Sequence, residues 1–210
     1  MALAPLIDKY AWAEQVPAWT IAVVRGRSVA DIVRNYGGDP TPLGTWDKSG
    51  ILEYQEAAPA YLSAEPRTTT TFEDGLLVQV IDAGDQVVTV EDNGFRASSA
   101  EIARECSAGG GHFLSVFWNV EGLGYVVEGI DGQLTAKFEA LHPITPTTNP
   151  HEVRPSWAIG PEPEQAWQSC CLALLEQQTG VAIERDWFSF PGEPRPTYRL
   201  ADVAPSLQGR

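Results

Sequence analysis

Two short strings concentrate the residue types that chemistry needs. Val90-Glu91-Asp92-Asn93-Gly94-Phe95-Arg96 supplies two carboxylates, an amide and a guanidinium. Ser115-Val116-Phe117-Trp118-Asn119-Val120-Glu121 adds an indole, a second amide and a third carboxylate. An arginine beside an indole can hold an anion against a stacking surface, and carboxylates beside an arginine do acid–base work when burial moves their pKa values. Left at the surface, the same acids form a recognition patch for a cationic partner. Glu91, Asp92, Asn93, Arg96, Trp118, Asn119 and Glu121 are therefore the candidate binding residues. Each has a structural use as well: Asn-Gly makes turns, arginine pairs with carboxylates, and a buried asparagine satisfies backbone groups.

Other chemistries find less support. A thiol nucleophile has Cys106, Cys170 or Cys171 to draw on, with His112, His142 or His151 as base. Cys106 falls at the C-terminal end of a predicted helix, where the dipole opposes a thiolate, and Cys170 and Cys171 fall on a helical apolar stripe. All three read as small buried hydrophobes. Cys106 with His112 makes half of a four-ligand zinc site, and Glu91 to Gly94 lacks the spacing of an EF-hand loop. Gly109-Gly110-Gly111 follows a helix, whereas a phosphate cradle precedes one. No catalytic residue, metal or cofactor is assigned.

The elements that must position the two strings are legible. Trp19 to Gly26 is a β-branched and aromatic run that reads as a buried strand. Ser28 and Asp31 open a helix that Gly37-Gly38 closes. A meander follows from Leu76: strands at Leu76 to Asp82 and Gln86 to Glu91, then a helix from Ser98 to Ser107 capped by Ser98 with Glu101. Strands at Phe113 to Glu121, Tyr125 to Ile130 and Gln133 to Glu139 complete it. In the first of these, Leu114, Val116, Trp118 and Val120 form the apolar face; in the last, Leu134, Ala136 and Phe138 face inward. Trp167, Cys170, Cys171, Leu174 and Leu175 mark a C-terminal helix that Gly180 ends.

The expected fold is α+β, a mainly antiparallel five- to six-stranded sheet with helices packed on one face and a C-terminal helix against it. Residues 1–190 are expected to form one domain, with 41–71 a long loop excursion and 191–210 a loosely ordered tail.

Charge narrows the partners. The chain has 28 acids against 14 bases, a formal net charge of −14. Between Glu73 and Glu139 there are twelve acids and three bases, a net of −9 centred on the meander. That field repels nucleic acid and anionic membranes, since affinity for phosphates rests on cations, so neither is an expected partner. A basic protein is. No apolar run is long enough to span a bilayer and the N-terminus lacks a basic, apolar leader, so the expected location is the cytoplasm. Three cysteines fit a reducing compartment. Oligomeric state is left open.

The chain resembles an uncharacterised actinobacterial family, one of the domain-of-unknown-function families. The likeness is carried by Trp12, then Val23-Val24-Arg25-Gly26 with its Ser-capped helix and Gly-Gly. It continues through Val90 to Arg96, Ser107-Ala108-Gly109, Ser115 to Val120, and Asp131-Gly132 followed by Phe138-Glu139. The resemblance implies no activity and carries over no catalytic residue. Two readings follow. The leading one is a non-catalytic interaction or regulatory module, immunity-like, with an acidic binding surface. The alternative is a small-molecule binder or enzyme with a polar pocket around Trp118, Asn119 and Arg96, using Glu91 and His112.

Overall fold

The structure is a computed structural model that describes residues 3–47, 77–92, 94–140, 152–155, 157, 166–188 and 192–201. In chain order the strands are Trp19–Arg25 (β1), Gly44–Trp46 (β2), Leu77–Asp82 (β3), Gln86–Asp92 (β4), His112–Trp118 (β5), Gly124–Ile130 (β6), Gln133–Glu139 (β7) and Arg195–Arg199 (β8). The α-helices are Leu3–Lys9 (α1), Val29–Asn35 (α2), Ala100–Ser107 (α3) and Trp167–Thr179 (α4). The strands make one antiparallel sheet in the order β2-β8-β3-β4-β1-β5-β6-β7.

Sequence dictates the middle of that sheet. β1 buries six of its seven residues, which only a strand covered on both faces can do, and it lies between β4 and β5. Alternation then sends Trp19, Ile21 and Val23 to one side with Val88, Val90, Leu114, Val116 and Trp118. There α1, the 3-10 turn Ala11–Gln15 and α4 cover them, through Leu6, Tyr10, Ala13, Cys171, Leu172 and Leu175. Ala22 and Val24 face the other side with Val87, Phe113 and Val127, under Ile32 and Val33 of α2 and Ala103 and Cys106 of α3. Each fully buried side chain of this kind contributes about 1.5–3 kcal/mol over exposure.

Several expectations are corrected. The sheet has eight strands, because two short ones, β2 and β8, are added beyond β3. β8 lies in the stretch from 191 expected to be a loose tail; Thr197 and Tyr198 are buried where it pairs with β2 and β3. Helices cover both faces, α2 and α3 one and α1 and α4 the other, since a sheet whose central strands are apolar on both sides needs two covers. Leu134 faces the α3 side, opposite Ala136 and Phe138, because a register shift at Glu128/Gly129 resets the alternation in β7. Of the expected excursion at 41–71, Gly44–Trp46 is strand β2 and the part from residue 48 lies outside the described residues. Among the described residues, no helix is long and apolar enough to cross a membrane.

The caps show how local the helix signals are. Ser28 accepts from the Asp31 N–H at 3.2 Å, as its spacing predicts. α3 is capped by Ser99, which accepts from the Glu101 N–H at 3.2 Å, while Ser98 belongs to the 3-10 turn Arg96–Ser98 and donates to Phe95 O at 2.7 Å. Ser99→Ala should therefore lower stability by about 1 kcal/mol, an ordinary cap loss. Ser98→Ala should cost less than half of that, and chemical denaturation of the two variants side by side checks the order. α4 ends at Gly180, whose φ of 75° is the left-handed conformation a helix stop requires.

Candidate functional site

Glu91 sits on β4 opposite Thr20 of β1, faces the α2–α3 side and has no exposed surface. Its Oε1 accepts from the Ala97 N–H at 2.9 Å and its Oε2 from the Arg96 N–H at 3.0 Å. Those are donors at the start of the 3-10 turn, which otherwise lack partners, so the carboxylate holds the turn onto the sheet. The approach is tight. A Cβ at Gly94 would lie 2.6 Å from both Glu91 Cβ and Oε2, so only glycine fits there, and the Gly94 carbonyl accepts the Thr20 hydroxyl. Burial pushes the Glu91 carboxyl up to about 7, against the pull of the two N–H groups and the Arg96 charge.

The Arg96 guanidinium reaches two backbone carbonyls. Its Nη1 donates to Tyr36 O at 2.6 Å and its Nη2 to Ala201 O, tying the end of α2 and the chain after β8 to the β4–α3 loop. Tyr36 is itself buried, bonded to the Thr89 hydroxyl at 2.9 Å, and burial holds its phenol well above the usual tyrosine value.

Trp118 is on the opposite face. It is fully buried, its Nε1 donates to Val16 O at 2.8 Å, and Trp167 meets it edge-on with ring centroids 6.3 Å apart. Asn119 begins the β5–β6 loop and builds it: its Oδ1 accepts from the Glu121 N–H at 3.1 Å and the Leu123 N–H at 3.0 Å. Its own N–H donates to Leu123 O at 3.0 Å. Glu121 is exposed at the tip of that loop, and Asp92 is half-buried opposite Trp19. Asn93 lies outside the described residues.

Register brings part of the candidate set to one end of the sheet. Asp92, Trp19, Trp118 and Gly124 form one row across β4, β1, β5 and β6. β1 stands between the two strings, so the strands that carry them are not neighbours. The sheet also divides Glu91 and Arg96, on the α2–α3 side, from Trp118 on the α1–α4 side. A pocket shared by Trp118, Asn119 and Arg96 is not what these positions build.

His112 is farther still, at the other end of β5 and roughly 20 Å from Trp118 by strand rise. Its Nε2 meets Glu128 Oε1 at 3.0 Å, and the Thr135 hydroxyl donates to Glu128 Oε2 at 2.7 Å. Hydroxyl and imidazole thus share a carboxylate, without the direct contact that activates a nucleophile. Burial raises the Cys106 thiol to about 12 and raises Cys171 as well, which suits packing. His142 and His151 lie outside the described residues. Among the described residues, no cluster of three or more His, Cys, Asp or Glu is placed to hold a metal ion.

The loops that these polar residues hold carry exposed apolar side chains. Phe95, between Gly94 and the turn that Glu91 holds, is 48% exposed; Val120 and Leu123, in the loop that Asn119 builds, are 75% and 41% exposed. All three stand at the sheet end marked by Asp92 and Trp118. Choosing residues by reactivity passes over them. The available signal was an aromatic directly after Asn-Gly, and two aliphatics flanking Glu121-Gly122, in turns where polar residues are the rule.

These features define an α+β protein built on an eight-stranded antiparallel sheet, with three exposed apolar side chains on the loops at one end. The chain belongs to a family of unknown function (DUF6461), which matches residues 5–190. No curated protein and no solved structure matches it.

Proposed function

We propose that the chain is a non-catalytic cytoplasmic interaction or regulatory module, immunity-like in kind, that binds a basic protein partner through an acidic surface. The observation that carries this reading is the exposure of Phe95, Val120 and Leu123 on hydrogen-bonded loops beside Asp92 and Glu121. Holding apolar side chains in water gains nothing for folding, and an apolar centre with a charged rim is the anatomy of a protein interface. The net charge of −14 selects a cationic partner and speeds its approach.

Tagged protein immobilised in its native cytosol at low salt should retain one near-stoichiometric basic protein, released by a salt gradient. Glu121→Lys, at an exposed loop position, should weaken that retention several-fold, because a rim charge acts chiefly on association and its salt dependence. Retention indifferent to both salt and Glu121→Lys would sink the reading.

A further inference from the structure

The same end of the sheet carries an aromatic pair on the α3 side. Phe117 and Tyr125 are cross-strand partners on β5 and β6, half-buried, with rings stacked at 6.3 Å and 10° between their planes. Alternation turns them to the same side as Glu91 and Ser115, whose hydroxyl donates to Ala97 O at 2.6 Å beneath the turn that carries Phe95. Glu139 of β7 is directly opposite Tyr125. Stacked rings with a carboxylate beside them attract lysine and arginine twice over, through the ring quadrupole and through charge.

The dimensions and the charge together limit the occupant. From the end of β4 to the β5–β6 loop is between two and three strand spacings, roughly 10–14 Å. Two to three helical turns, at about 5.4 Å each, cover that span. A second copy of the chain brings another −14 to the same place, and a nucleic acid brings phosphates; both are repelled.

We propose that this corner is the docking surface for a basic amphipathic segment of a protein partner, with its apolar side chains on Phe95, Val120 and Leu123. Its lysine or arginine side chains lie against the Phe117–Tyr125 pair and Glu139. The inference rests on the interaction-module reading and adds the partner's chemistry and where it seats.

The probe is a labelled synthetic helical peptide with leucines on one face and arginines on the other, against a scrambled peptide of the same composition. Fluorescence anisotropy at physiological ionic strength reads both. Wild type should prefer the amphipathic peptide by about ten-fold, and the double variant Val120→Ser, Leu123→Ser should lose that preference. Tyr125→Leu should weaken the amphipathic peptide about two- to five-fold by removing the aromatic face. Ile130→Ser removes an exposed aliphatic at the opposite sheet end and should change nothing. Equal binding of the two peptides, or an Ile130→Ser loss matching that of the double variant, overturns the docking surface while the acidic module stands. Failure of both peptides to bind even at low salt removes the docking surface and the module reading together.

Discussion

Glu91→Gln is expected to flatten the pH dependence of unfolding between about pH 4.5 and pH 7, and to change sign in its effect across that window. The Glu91 carboxyl is fully buried, and its folded pKa of about 7 stands above the ordinary value of 4.5. Between those values the folded chain holds a proton that the unfolded chain has released, so stability is full below pH 4.5 and is lost as pH rises through 7. Each unit is worth about 1.4 kcal/mol, giving a loss on the order of 3 kcal/mol over the window. Glutamine does not titrate. At pH 5 the variant should be less stable by about 1–2 kcal/mol, because its amide presents an NH₂ to one of the two N–H groups that the acid accepts from. By pH 8 the difference should have moved by about 3 kcal/mol in the variant's favour. Urea denaturation of both proteins at pH 5 and pH 8 measures it, and subtracting one from the other cancels the remaining acids. Parallel pH curves would show that Glu91 titrates alike in the folded and unfolded chains.

The same residue shows what sequence makes legible. Buried β-strands announce themselves by composition, so β1, β3, β4, β6 and β7 are readable to within a residue at their ends, while β5 stops at Trp118, three residues short of the expected Glu121. Turn chemistry is local too, which is why Ser28 caps α2 and Gly180 ends α4 as their spacing predicts. Strand order is not local. Nothing in Trp19–Arg25 says that it will separate β4 from β5, since its partners lie more than sixty residues away. β2 and β8 were missed for the same reason. Arg195-Pro196-Thr197-Tyr198-Arg199 contains a proline and two charges, and becomes a strand only because the neighbouring strands supply its hydrogen bonds.

Val120 marks where alternation misleads. Period two places it on the inner face with Leu114, Val116 and Trp118, but β5 ends at Trp118 and the Asn119 amide turns the chain, leaving Val120 the most exposed of the large hydrophobics described. A break in a pattern is invisible until the residue that breaks it is seen bonded. Glu91, Arg96 and Asn119 each make specific hydrogen bonds to the backbone. Those bonds hold the loops that carry Phe95, Val120 and Leu123, and these are the residues with surface to offer.

Trp118→Ala should be the most destabilising single truncation on the α1–α4 side, at about 3–5 kcal/mol. The indole is fully enclosed between β5 and the Trp167 ring, and its removal leaves a large cavity and strips Val16 O of its donor. Trp118→Phe keeps most of the packing and should cost about 1–3 kcal/mol, close to the price of the one unsatisfied carbonyl. The pair of variants also decides between two uses of the same residue. A tryptophan that stacks on a ligand must be reachable, and its replacement weakens binding more than folding. One that closes the core does the reverse, and its emission stays insensitive to added small molecules. Denaturation midpoints of the two variants separate the cases. A Trp118→Ala protein as stable as wild type would mean that the ring faces an opening, and would return the pocket around Trp118 to consideration.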